Sequence, residues 1–210
     1  KYHTVVIGGG CLGVSAAIAL SRKLKNKNNS VCILEKGVLA GGISSRHSGI
    51  IRSANASIQA ATFAEEANQM WLNIRDYWGI DIKPEKSGAI WIARNDKKEA
   101  AKTWQDLEIK LNKANINFKR IKSKEIKSLT SNLIRINEEH EIYFYEPNAM
   151  LFDPITVRNA MYEAIDINNI KLKENTRVTG FELKSGKKIS KIKKNHGTIL
   201  AENVINAAGG

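Results

Sequence analysis

Residues 5–14 read Val-Val-Ile-Gly-Gly-Gly-Cys-Leu-Gly-Val, and Glu35 closes the next apolar run, Val31-Cys32-Ile33-Leu34. The β-branched residues at 5–7 predict a buried strand. Gly8 and Gly10 allow a tight turn with no side chain between backbone and ligand, and Gly13 lets the following helix pack close. That helix is expected from about Leu12 to Leu24, with Val14, Ala17, Ile18 and Leu24 inward. Its N-terminus would direct backbone N–H groups and a partial positive charge at a pyrophosphate. Glu35 then ends a second strand, where a carboxylate can accept both hydroxyls of an adenosine ribose. Strand, glycine turn, helix and acid fall within one unit of about 30 residues, the context that such a motif requires. The carboxylate would repel a 2′-phosphate, so the expected ligand is FAD or NAD and not NADP.

A chain of 210 residues is long enough for one sizeable core, or for a domain with a smaller partner. No apolar run is long enough to span a bilayer. The first residue is Lys1 and not Met, which leaves room for a removed targeting peptide. Two cysteines, Cys11 in the glycine loop and Cys32 in a strand, do not make a disulfide framework, and they read as small apolar fillers in a reducing, cytoplasmic compartment. The formal charge of +12 invites a nucleic-acid reading. It is declined, because the lysines are spread along the chain. The densest group, Lys184, Lys187, Lys188, Lys191, Lys193 and Lys194, lies on an expected hairpin without interleaved aromatic residues. No metal-ligand set is assigned.

Past Glu35 comes a Gly- and Ser-rich loop from Gly37 to Ser53. One helix is expected over 57–78, with Ala60, Phe63, Ala64, Ala67, Met70 or Trp71, Ile74 and Tyr77 as its core side and Gly79 as its stop. A strand at 88–93, a helix at 97–114, a strand at 118–121, a short helix at 123–129 and a strand at 142–145 follow. Asp153 caps the next helix with Pro154 at its first position. Short strands come after 170, and the chain closes on Val204-Ile205-Asn206-Ala207-Ala208-Gly209-Gly210, read as a buried parallel strand running into small residues. Such a strand normally feeds another loop and helix over a cofactor. The chain is therefore expected to be a fragment or truncated form.

Gly8-Gly9-Gly10-Cys11-Leu12-Gly13, the Leu34-Glu35-Lys36 strand end, and Gly41-Gly42-Ile43-Ser44-Ser45-Arg46-His47-Ser48-Gly49-Ile50-Ile51-Arg52-Ser53 together resemble the D-amino acid oxidase-like flavoproteins, among them sarcosine oxidase, glycine oxidase and dimethylglycine dehydrogenase. The Ala207-Ala208-Gly209 ending looks like that family's strand beside the flavin. The likeness runs over essentially the whole chain but only the first half or so of a typical member. It implies an α/β fold: an FAD-binding Rossmann-like βαβ domain, here 1–80 with 150–210, and an inserted α+β portion of a substrate or cap domain, here 81–149. The segment 41–53 narrows the dinucleotide to FAD.

The resemblance implies cofactor contacts at Gly8, Gly10, Cys11, Leu12, Gly13, Glu35, Lys36, Gly42, Ser44, Ser45, Arg46, Gly49, Ile51, Val178, Ala208 and Gly209. Arg52 resembles the family arginine that helps bind a substrate carboxylate, a role its guanidinium fork suits. In dimethylglycine dehydrogenase-like members a histidine of this segment carries a covalently attached flavin. By register with Gly49 that position is Arg46 here, one residue before His47. Some sarcosine oxidase relatives carry arginine where this chain has Gly49. The implied activity is oxidation of the C–N bond of a small amino acid or N-methyl amino acid, with the catalytic base outside these residues. A same-fold 2-hydroxy acid or glycerol-3-phosphate type dehydrogenase is an alternative. So is a non-catalytic FAD-binding fragment, or a subunit completed by a partner chain.

Overall fold

The computed structural model describes residues 1–24, 30–95, 98–184 and 188–209. The elements run β1 (Tyr2–Ile7), α1 (Cys11–Lys23), β2 (Val31–Leu34), a 3₁₀ turn (Ile43–Ser45), β3 (Ile50–Ile51), α2 (Ile58–Leu72), α3 (Ile74–Trp78), β4 (Ala89–Arg94), α4 (Lys98–Lys113), β5 (Lys119–Ile121) and α5 (Ser123–Leu129). They continue with β6 (Glu141–Glu146), β7 (Met150–Leu151), α6 (Pro154–Ile167), β8 (Lys171–Lys173), β9 (Val178–Lys184), β10 (Lys188–Lys194), β11 (Thr198–Ile199) and β12 (Ala201–Asn206). Two compact units result. The first holds Lys1–Ser48, Asn73–Ile82 and Asp153–Gly210, the second Gly49–Leu72 and Lys83–Phe152. The stretch 49–72 thus packs with 83–152, whereas the sequence reading kept it with the glycine loop.

In the first unit a parallel sheet has the order β12-β1-β2-β8. The chain leaves β1 toward β2 on one side and returns as β12 on the other. This places the carboxyl ends of β1 and β12 at a topological switch point, the crevice where open α/β sheets bind ligands. All four residues of β2 are buried, as a strand covered on both faces requires. Helices α1 and α6 pack against the sheet. Val5, Cys32 and Leu34 meet Ile192 and Ile199 of the antiparallel sheet β11-β10-β9. Helix α1 buries Gly13, Val14, Ala17 and Ile18, and ends on Arg22 and Lys23, where cations favour the dipole. At α6 the cap forms as expected: Thr156 donates its N–H (2.7 Å) and its hydroxyl (3.0 Å) to Asp153 Oδ2, and these bonds hold the Asp153 carboxyl below its usual range.

The second unit joins a three-stranded antiparallel sheet, β4-β6-β5, to the short pair β3-β7. Alternation along β6 sends Ile142 and Phe144 toward α4 and α2, where they join Leu111, Phe118, Trp91 and Trp104. Phe118 and Phe144 stack at 5.1 Å between centroids. Tyr143 goes to the other face with Ile121 and Ile126.

Two expectations are corrected. The helix expected over 57–78 is two helices, broken at Asn73 (ψ 34), and α2 and α3 belong to different units. Buried on α2 are Ala61 and Asn68, while Phe63 and Met70 of the expected core side are exposed, as is Tyr77 on α3. Apolar residues lie around most of α2, so periodicity alone does not select its buried face. The last strand begins at Ala201, and Val204 and Ile205 are only half-buried. It has β1 on one side and, among the described residues, no strand on the other. The lysine-rich hairpin forms as expected, β11 joins it as a third strand, and Lys191 and Lys193 pair with Glu182 at 3.0 and 3.8 Å. Lys187 lies outside the described residues. Among the described residues no helix is long and apolar enough to cross a membrane.

Burial between the two sheets pushes the Cys32 thiol up to about 11. An unfolded thiol ionises near 8.5, so between these values the unfolded chain holds fewer protons than the folded one and stability falls as pH rises. The urea midpoint is expected to drop by the equivalent of about 2 kcal/mol between those pH values. Cys32→Ala should remove that component, and an unchanged slope in the variant would contradict the assignment.

Candidate functional site

The glycine loop is built by backbone meeting backbone. Gly8 sits at φ +106, and a Cβ there would lie 2.3 Å from the Ala207 carbonyl oxygen. A Cβ on Gly13 would lie 2.0 Å from the Gly8 oxygen. Strand β1, the start of α1 and the end of β12 therefore converge with no room for a side chain. Gly10 stands at the N-cap of α1 and supplies no side-chain cap, and the first turn carries no acid. The Cys11 N–H donates to Ser44 Oγ at 3.1 Å. The hydroxyl thus reaches the opening turn of α1, at a helix end of positive potential.

Glu35 faces this loop. Its carboxylate accepts the Gly9 N–H at 2.7 Å and the Gly37 N–H at 2.8 Å, one on each oxygen. Each oxygen keeps a further lone pair for a hydroxyl donor. Beside it opens a cleft of about 220 Å³ lined by Gly8, Glu35, Lys36, Val178 and Ala208, together with Arg177 and other neighbours. Five residues named from the sequence thus come to one place. Arg177 was missed, although it directly precedes Val178. A second carboxylate, Glu174, was missed as well. It accepts the Leu39 N–H and the Tyr162 hydroxyl, each at 2.6 Å, and so ties the loop after Glu35 to α6.

The rest of the 41–53 segment divides. Gly42, Ser44, Ser45 and Arg46 belong to the first unit around the 3₁₀ turn, where Ser45 donates its hydroxyl to the Gly42 carbonyl at 3.3 Å and Arg46 is exposed. Leu12 is exposed on the opening turn of α1, and Gly209 follows β12 at φ +79. Gly49, Ile51 and Arg52 belong to the second unit. Gly49 has φ +76, and a Cβ on it would be 2.0 Å from the Phe152 oxygen, so any side chain there must displace the β3–β7 pair. Arg52 lies with its guanidinium carbon 4.5 Å from the Trp91 ring centroid and donates to the Ala54 carbonyl at 2.6 Å. It borders a cleft of about 280 Å³ with Asn55, Thr103, Trp104 and Leu107. An exposed guanidinium on an aromatic face is a ready anion receptor.

Comparison with known proteins agrees with this geometry. A family model described as FAD dependent oxidoreductase matches residues 3–210. The β subunit of sarcosine oxidase from Arthrobacter sp is 27% identical over the whole chain, which covers 51% of that protein. The mitochondrial pyruvate dehydrogenase phosphatase regulatory subunit of Mus musculus is 24% identical over 99% of the chain, 23% of its own length. Among solved structures, L-proline dehydrogenase from P. horikoshii superposes with a TM-score of 0.86 at 25% identity, over all of this chain and 53% of that one. The chain thus spans about half, or less, of the length of these proteins.

The contrast between glycines is testable by stability. Gly13→Ala should cost about 1–3 kcal/mol or more, because its Cβ meets a fixed carbonyl. Gly180→Ala in β9, with nothing within 4 Å of the added carbon, should be neutral or mildly stabilising. Urea titration of the two variants checks the difference, and equal stabilities would contradict the loop geometry.

Proposed function

Because this chain belongs to the FAD dependent oxidoreductase family, we propose that it forms the dinucleotide-holding part of an enzyme that oxidises the C–N bond of a small amino acid or N-methyl amino acid. The observation that carries the reading is the cleft where Glu35 meets the bare glycine turn at the switch point of the sheet. It fits an adenosine diphosphate moiety: a carboxylate with free lone pairs for ribose hydroxyls, and a backbone at Gly8 and Gly13 that no Cβ shields. In this reading Glu35 takes the ribose, and Gly10, Cys11, Leu12 and Gly13 offer the opening of α1 to the diphosphate. Lys36, Val178, Ala208 and Gly209 border the adenosine, and Gly42, Ser44, Ser45 and Arg46 present hydroxyls and charge to the dinucleotide. The chemistry that FAD supplies when bound is two-electron oxidation, in which hydride leaves the carbon next to nitrogen and the resulting imine is hydrolysed by water. Arg52 holds the substrate carboxylate through its fork.

The name of the sarcosine oxidase relative, a β subunit, supports a partner chain or further segment that completes the enzyme. The free thiols of Cys11 and Cys32 support a reducing, cytoplasmic setting.

The test uses the natural protein that carries this chain, loaded with FAD. Amino acids and N-methyl amino acids are expected to bleach its visible flavin absorbance and to yield ammonia or an aldehyde. Bleaching by 2-hydroxy acids alone would overturn the amine assignment. Glu35→Ala should weaken FAD binding about tenfold or more, since charge-assisted hydrogen bonds are lost. Unchanged affinity by flavin fluorescence titration would remove Glu35 from the site.

A further inference from the structure

Four polar or charged residues are buried among those described: Thr4, Ser53, Asn68 and Glu146. Three of them gather at the turn that follows Arg52. Glu146 is 0% exposed, yet it is a carboxylate at the end of an apolar strand. It falls on the buried face by the same alternation that turns Ile142 and Phe144 inward. Its carboxylate is satisfied by three N–H donors: the backbone of Ser53 at 2.5 Å and of Ala54 at 3.1 Å, both on Oε1, and the Trp91 indole at 3.2 Å on Oε2. The Ser53 hydroxyl donates to Glu65 Oε2 at 2.6 Å and accepts from Asn68 Nδ2 at 2.5 Å, so the turn is gripped from α2 as well.

Two of the residues that donate to Glu146, Trp91 and Ala54, also fix Arg52. Its guanidinium rests on the Trp91 ring and donates to the Ala54 carbonyl. Glu146 therefore holds both supports at once, one by its indole N–H and the other by its amide N–H. A buried carboxylate is costly unless it is fully hydrogen-bonded, and an apolar residue would fill the space without that cost. The arrangement makes sense if orientation of the guanidinium is what the carboxylate provides.

We propose that Glu146 is a positioning residue: it sets the direction of the Arg52 guanidinium, and through it the affinity for a carboxylate-bearing substrate. The proposal rests on the reading of Arg52 as the carboxylate anchor. Glu146→Gln keeps the volume but replaces one acceptor with an NH₂ group, so one of the N–H donors loses its partner.

The experiment is a double-mutant cycle in the FAD-loaded natural protein, with acetate as a substrate-free carboxylate probe and steady-state kinetics on the amino acid it turns over. Arg52→Ala is expected to weaken acetate binding by about 30-fold or more, and Glu146→Gln by about five- to tenfold, raising KM with kcat within about twofold. In the Arg52→Ala background Glu146→Gln should change acetate affinity no further. Trp91→Phe keeps the ring under the guanidinium and removes only the indole donor. It should shift affinity in the same sense by a smaller factor, and it carries the test if Glu146→Gln fails to fold. A Glu146→Gln effect of equal size in both backgrounds, or none in the wild type, would overturn the positioning role while leaving Arg52 as anchor. Unchanged acetate affinity in Arg52→Ala would overturn the anchor, and the positioning role with it.

Discussion

The first unit depends on one constraint, the approach of three backbone segments at Gly8. The carbonyl of Ala207, the turn after β1 and the first turn of α1 occupy a volume from which every Cβ is excluded. That convergence fixes the parallel register of β12 on β1, where Ile7 faces Asn206 and the Ala207 N–H donates to the Ile7 oxygen at 2.8 Å. It also points the start of α1 across the end of the sheet. A helix elsewhere could offer the same dipole, but not at a switch point with a bare backbone on both sides. The glycines are thus required by packing even before a ligand is considered.

Glu35 extends the same logic. By accepting Gly9 and Gly37 it braces the loops on either side of the cleft. Thr176 then donates its N–H to the Glu35 carbonyl at 2.7 Å and Asn175 to that of Gly37 at 2.8 Å, so the cleft's far wall is hung from the same strand end. The carboxylate that the proposed function gives to a ribose is therefore also a structural tie, and its loss would be felt in the shape of the cleft as well as in its chemistry.

How much of this was legible in the sequence follows from the range of the forces involved. The glycine turn, β2, the Asp153 cap and the stop at Gly79 are local: a few neighbouring residues dictate them, and they form as expected. The cleft residue Val178 came from a family likeness, because nothing in its neighbourhood marks it, whereas Ala208 was marked by the run of small residues at the end of a strand. What failed was long-range. The face of α2 is chosen by which partner packs on it, and Asn68 is buried because Ser53 lies across from it. Trp91 and Glu146 are 55 residues apart in the chain and meet only in the folded sheet. One signal for Glu146 was present, an acid in phase with Ile142 and Phe144 on a strand that alternates cleanly.

The net charge of +12 is the most conspicuous bulk property and the least informative one. Lys191 and Lys193 on β10 are exposed and paired with Glu182, and exposed charges of this kind are screened within about 10 Å in ordinary salt. The electrostatics that specify the molecule come from the minority sign. Glu35, Glu174 and Glu146 each accept a backbone N–H remote in sequence, and each thereby fixes a loop that borders a cleft. A carboxylate suits this task because it offers two oxygens with four lone-pair directions and no hydrogen to misplace. One such residue can hold two segments and still accept from a third group. The same acceptor property makes Glu35 a candidate for a ribose and Glu146 a holder of a guanidinium's supports.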